Sequence, residues 1–224
     1  MSTTTESRFP SARWAGWAGQ IEDLQSRMVN LITKRKIWNS YTESLRGATP
    51  SEAESVVHEW LQQNYVDSVA VGLRRVLDAT KGTRSLLKLL ESMERGSVEL
   101  SFDNFSYFWR LDASAFAAQD AREMYRPFTK DGKEFDVAVL RRDRARLKTE
   151  NSVLIKYVND FVAHANANGV VAPPITYGEL HKAFDDVAEV ANKYYTLLTC
   201  ASMLTHEAIL PLGWQNVFRR MASS

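Results

Sequence analysis

The sequence predicts an all-α protein, an antiparallel bundle of long helices, and three observations carry that expectation. Apolar residues recur at three- and four-residue spacing along most of the 224 positions. Two capping boxes, Ser51 with Glu54 and Thr176 with Glu179, each stand at the head of such a run. Gly47 with Pro50, Gly82, Gly96, Pro127, Asp131-Gly132 and Gly169 with Pro173-Pro174 separate the runs from one another.

The elements follow in order. Residues 1–12 are Ser/Thr-rich with Pro10 and read as a loose tail. Trp17, Ile21, Leu24, Met28, Leu31, Trp38 and Tyr41 predict a first helix over Trp14–Leu45. Ser51 opens a second, with apolar positions Val56, Val57, Trp60, Leu61, Tyr65, Val69, Leu73, Val76 and Leu77, and Gly82 breaks it. A short helix spans Thr83–Met93 and ends at Gly96. Residues 97–112 are aromatic-rich with some alternation, yet no second strand candidate exists to pair with them, so they read as a packed loop. Residues 114–126 form another helix. A long one then runs from Phe135 to Ala167, with Leu140, Leu147, Leu154 and Phe161 as its inward stripe. Tyr177–Met203 is the last long helix, and Pro211–Met221 is a short terminal one. No internal repeat or low-complexity linker divides residues 13–224, so they form a single domain.

Composition narrows the function classes. The chain is 45% hydrophobic and 25% charged, with a formal net charge of +1. Any nucleic-acid contact therefore comes from a local patch and not from the molecule as a whole. One cysteine, Cys200, excludes an intrachain disulfide and a multi-cysteine zinc site and fits a reducing, cytoplasmic setting. Met1–Glu6 is polar and is not a secretory signal, and no apolar run reaches the length of a membrane span. Walker, dinucleotide and nucleophile-elbow motifs are absent, and the four histidines lack metal-ligand spacing, so neither a metal nor another cofactor is expected.

Three polar groups stand out. His164 lies one helical turn after Asp160, with Asn159 and Asn166 nearby. A carboxylate in that position favours the imidazolium, which can donate a proton or hold a phosphate. The alternative is a helix-terminal histidine stabilised by the dipole. Arg75 and Asp78, three apart near the end of the second helix, form either a structural pair or part of a site. Arg141, Arg142, Arg144 and Lys148 cluster on the long helix, as a solvated face or as a phosphate-contacting patch for RNA.

Three segments in this order resemble the HEPN superfamily, in particular its AbiU-type abortive-infection branch. They are the Asn-x-x-x-Ala-His core from Asn159 to His164, followed by Ala165-Asn166; the Leu73–Asp78 stretch leading into Ser85–Leu90; and the helix from Leu180 to Leu198. The resemblance implies a helical bundle that forms homodimers and, in active members, cuts RNA without a metal, in a toxin–antitoxin or phage-defence setting with an antitoxin or other protein partner. The family's catalytic motif is an arginine followed by a polar residue and then the histidine. His164 matches the histidine and Asn159 the polar residue, but Val158 occupies the arginine position. Attack of a ribose 2′-hydroxyl needs a proton shuttle, and the charged phosphorane oxygens need a guanidinium. Valine offers neither charge nor donor. The resemblance therefore implies weak or lost nuclease activity. Two alternatives are an active metal-independent endoribonuclease that borrows an arginine such as Arg75 from another helix, and an interaction module using the aromatic segment Phe102–Trp109.

Overall fold

The computed structural model describes residues 8–46, 51–109, 115–163, 175–201, 210 and 213–216. His164, Asn166, the first part of the N-terminal tail and most of the terminal helix expected over Pro211–Met221 lie outside these. The described residues form eight α-helices and no strand: α1 (Ala12–Ser44), α2 (Glu52–Val76), α3 (Leu86–Arg95), α4 (Phe102–Phe105), α5 (Ala115–Tyr125), α6 (Val137–Glu150), α7 (Ser152–Tyr157) and α8 (Tyr177–Thr199). None is long and apolar enough to cross a membrane.

Local chemistry sets the helix ends. Both capping boxes form: the Ser51 hydroxyl accepts from the Glu54 amide while the Glu54 carboxylate accepts from the Ser51 amide, and Thr176 and Glu179 repeat the exchange. Ser11 and Ser85 cap α1 and α3 in the simpler way, each hydroxyl accepting a first-turn amide. Helix α8 stops at Cys200, whose φ of 55° is left-handed. Burial pushes the Cys200 thiol up to about 11, the condition of an inert structural thiol.

Cross-contacts fix the directions of the helices. On α1 and α2, Tyr41 meets His58, Trp38 stacks on Tyr65 with ring centroids 4.9 Å apart, and Leu31 meets Gly72. Ascending α1 thus descends α2. The Trp14 indole donates to the Leu198 carbonyl at 3.1 Å while Arg35 pairs with Asp185, so α1 and α8 are also antiparallel. Helix α6 runs against α8, with Asp143 at Lys193 and Tyr194, Arg146 at Asp186 and Glu189, and Glu150 at Lys182. Helix α1 lies at the centre, packed on α2, α3 and α8 through Trp14, Trp17, Ile21, Leu24 and Met28. Gly72 permits a close α1–α2 approach, since a Cβ there would stand 2.4 Å from a Leu31 methyl.

Four expectations are corrected. The helix expected over Phe135–Ala167 breaks at Asn151, whose buried side-chain amide donates back to the Leu147 carbonyl at 2.9 Å. The stripe Leu140, Leu147 and Leu154 is nevertheless buried on both sides of the break. Residues Val158–Ala163 then widen into a π-helical turn. Of the 97–112 segment, residues 97–109 are described and consist of short helical turns, with Phe105 fully buried and Phe102, Phe108 and Trp109 packed on the core. Its aromatics therefore cover the bundle. Conversely Val56, Val57 and Trp60, expected inward, are exposed on the first half of α2. Finally, Asp78 pairs with Arg74 and not with Arg75.

Candidate functional site

The site is built on one polar stripe of α2. Gln63, Asp67, Arg74 and Asp78 follow at helical spacings of four, seven and four, so they share a face while Leu73, Val76 and Leu77 turn into the core. The motif segment lies against this stripe. The Tyr157 hydroxyl donates to the Asp67 carboxylate at 2.6 Å and accepts from the Gln63 amide at 3.3 Å. Burial, with the Asp67 carboxylate beside it, pushes the Tyr157 phenol up to about 12, so it remains a donor at neutral pH.

Two turns further along α2 from Asp67, Arg74 Nε donates to Asn159 Oδ1 at 3.4 Å. The same guanidinium reaches Asp78 at 3.3 Å, with both side chains about three-quarters buried. Burial alone would raise the Asp78 carboxyl. Hydrogen bonds from the Thr80 amide and hydroxyl and from Arg74 outweigh that and hold it below the usual carboxylate range. Val158 is buried among the helices, so the position of the motif arginine faces the core. Asn159 is exposed and Asp160 half-buried on the π turn. Such turns are rare and tend to fall at functional segments.

The structure separates the other candidates. Arg75, 100° around α2 from Arg74, points away from Asn159 and lines a cleft between α1 and α2. On α6 the basic run is largely matched by acids. Arg141 and Arg144 both bond Glu94 at 2.7 Å, and Arg146 binds Asp186 and Glu189. The Arg141 hydrogen bond holds the Glu94 carboxyl below the usual range. Arg142 and Lys148 are exposed and make no ion pair with a described residue. Gln63 and Asp67 escaped the sequence reading, and Arg74, within the Leu73–Asp78 stretch, was given no role there. The available signal was a polar stripe at helical spacing along an otherwise apolar helix.

An all-α antiparallel bundle, with the Asn159 segment against the basic end of a second long helix, has the layout that the HEPN resemblance implies. A protein-family model described as AbiU2 matches residues 17–211, and the chain belongs to this HEPN family of abortive-infection type. Comparison with curated proteins and with solved structures gives no match.

Proposed function

We propose that this AbiU2-type HEPN protein is RNA-associated and acts in a bacterial defence or toxin–antitoxin setting, with a weak, metal-independent ribonuclease activity. The observation that supports this reading is the Arg74–Asn159 hydrogen bond of 3.4 Å. Helix α2 thereby brings to the motif the guanidinium that Val158 does not provide. In this reading His164 moves the proton at the ribose 2′-hydroxyl, Asn159 and Asp160 flank it, and Arg74 faces the developing charge on phosphorus. Exposed Arg142 and Lys148 on α6 add phosphate contacts. Activity is weak because Asp78 compensates the Arg74 charge, whereas a free guanidinium offers all its donors to phosphate.

The test is cleavage of end-labelled single-stranded RNA and tRNA, with chelator present, by the full chain and its variants. Slow cleavage is expected from the unaltered protein. His164→Ala and Arg74→Ala should each reduce it at least tenfold, which corresponds to about 1.4 kcal/mol of transition-state stabilisation, while Lys130→Ala, at an exposed lysine, should not. Cleavage that survives in His164→Ala, or that depends on Arg75 and not on Arg74, overturns the assignment. Solution mass is expected at twice the chain mass of 25.4 kDa, the homodimer implied by the family resemblance.

A further inference from the structure

The cleft between α1 and α2 has a volume of about 1020 Å³, and apart from Asp67 and Asp78 its lining residues are not part of the candidate site. Leu31, Val71 and Gly72 form an apolar floor, and the antiparallel crossing of the two helices at Gly72 brings their polar faces together around it. Arg27 and Lys34 come from α1, Arg75 from α2 and Arg84 from the turn before α3.

Their charges are not all cancelled. Arg84 is compensated by Asp23 at 2.7 Å, and the lining acid Asp78 is compensated by Arg74. Arg27 donates only to the Arg84 carbonyl at 2.9 Å, and Lys34 and Arg75 have no hydrogen-bond or ion-pair partner among the described residues. Among the described lining residues, three cations therefore stand against the one remaining carboxylate, Asp67, which already accepts from Tyr157 and Gln63. Between them stand neutral donors and acceptors, the amides of Asn30 and Asn64 and the hydroxyls of Ser26, Ser68 and Thr83. Among the described residues no aromatic side chain lines the cleft, so these would not hold a base by stacking.

We infer that this cleft binds a sugar phosphate unit, its phosphate between Lys34 and Arg75 and its hydroxyls on the neutral rim. Cations in a concave, partly apolar setting act on phosphate more strongly than on an open surface, and amide and hydroxyl side chains match ribose. Two sources carry this chemistry, a free mononucleotide and the backbone of an RNA strand. The inference does not depend on cleavage at the candidate site, because none of these three cations takes part there.

Binding of ADP by calorimetry and of a fluorescent eight-nucleotide oligouridylate by anisotropy, at low salt and with chelator, tests it on the full chain. Variants Lys34→Gln, Arg75→Gln and Lys34→Glu are compared with Lys130→Gln, an exposed lysine in the turn before α6, and folding of each is checked by circular dichroism. Binding of either probe is expected, weakened at least tenfold by Lys34→Gln and Arg75→Gln and unaltered by Lys130→Gln. ADP bound alone identifies the mononucleotide as the source, and oligouridylate bound alone identifies the strand. Binding of neither probe overturns the inference, as does a loss in Lys130→Gln equal to that in the cleft variants. If Lys34→Glu misfolds, the two glutamine variants decide the question.

Discussion

At the scale of single residues, His181 on α8 is the titratable group whose surroundings say most about pH. Its Nε2 lies 3.0 Å from the Tyr65 hydroxyl. Burial pushes Tyr65 up to about 12, so the phenol keeps its proton and can donate to the neutral imidazole tautomer protonated at Nδ1. Burial, followed by the nearby Arg35 cation, holds the His181 pKa below its ordinary value of 6.5. The folded state thus refuses a proton that the unfolded chain accepts. Stability is then lost as pH falls through 6.5 towards the lower folded value, and levels off beneath it. His181→Gln keeps a hydrogen-bonding side chain that does not titrate. It is expected to flatten the decline in denaturant midpoint between about pH 6.5 and pH 5. A wild-type midpoint that is level over this range, or one that rises as pH falls, would show that His181 is not held neutral.

Elements bring together what single residues leave open, and the arginines of α6 illustrate this. Arg146 bridges to Asp186 and Glu189 on α8, and Asp186 is the one charged residue that is buried among the described residues. Arg142, four residues earlier, is exposed with no ion pair to a described residue. Removing Arg146 leaves the buried Asp186 carboxylate to Lys182 alone, at 2.7 Å, whereas removing Arg142 strands nothing. Arg146→Ala is expected to cost about 1–2 kcal/mol, a buried-pair loss discounted for the third of Arg146 that stays exposed. Arg142→Ala should stay within about 0.5 kcal/mol of wild type. Chemical denaturation of both variants checks the difference, and equal stabilities would remove the α6–α8 bridge as a structural tie. The sequence shows both arginines in one basic run. It does not show which acid on another helix each one meets, because Glu94, Asp186 and Glu189 are distant in the chain.

The same distinction explains how much of the fold and site was legible. Ser51 and Thr176 announced their helices because a capping box is complete within four residues. The break at Asn151 was hidden because Leu140, Leu147 and Leu154 keep a seven-residue step across it. Val56, Val57 and Trp60 read as core because periodicity reports an apolar face, not whether a neighbour covers it. In the candidate site, Asn159, Asp160 and His164 could be singled out from local order alone. The pairing of Asn159 with Arg74, and not Arg75, depends on a packing angle between α2 and the π turn that no local pattern carries.

For the whole molecule, the near balance of 28 basic and 27 acidic residues sets a limit on RNA binding that salt can measure. Most of the basic residues on α6 are matched by acids on α3 and α8. The cleft between α1 and α2 leaves Arg27, Lys34 and Arg75 against Asp67. A single-stranded backbone releases about 0.7 counterions per neutralised phosphate. Three cations thus give a slope of about −2 in a plot of log affinity against log salt. Oligouridylate affinity is therefore expected to fall about fourfold for each doubling of salt, and Arg75→Gln should reduce the slope by about 0.7. A slope steeper than about −4 would require at least six phosphate contacts. That exceeds what the cleft supplies alone, and would show that the same strand also engages Arg142 and Lys148 on α6.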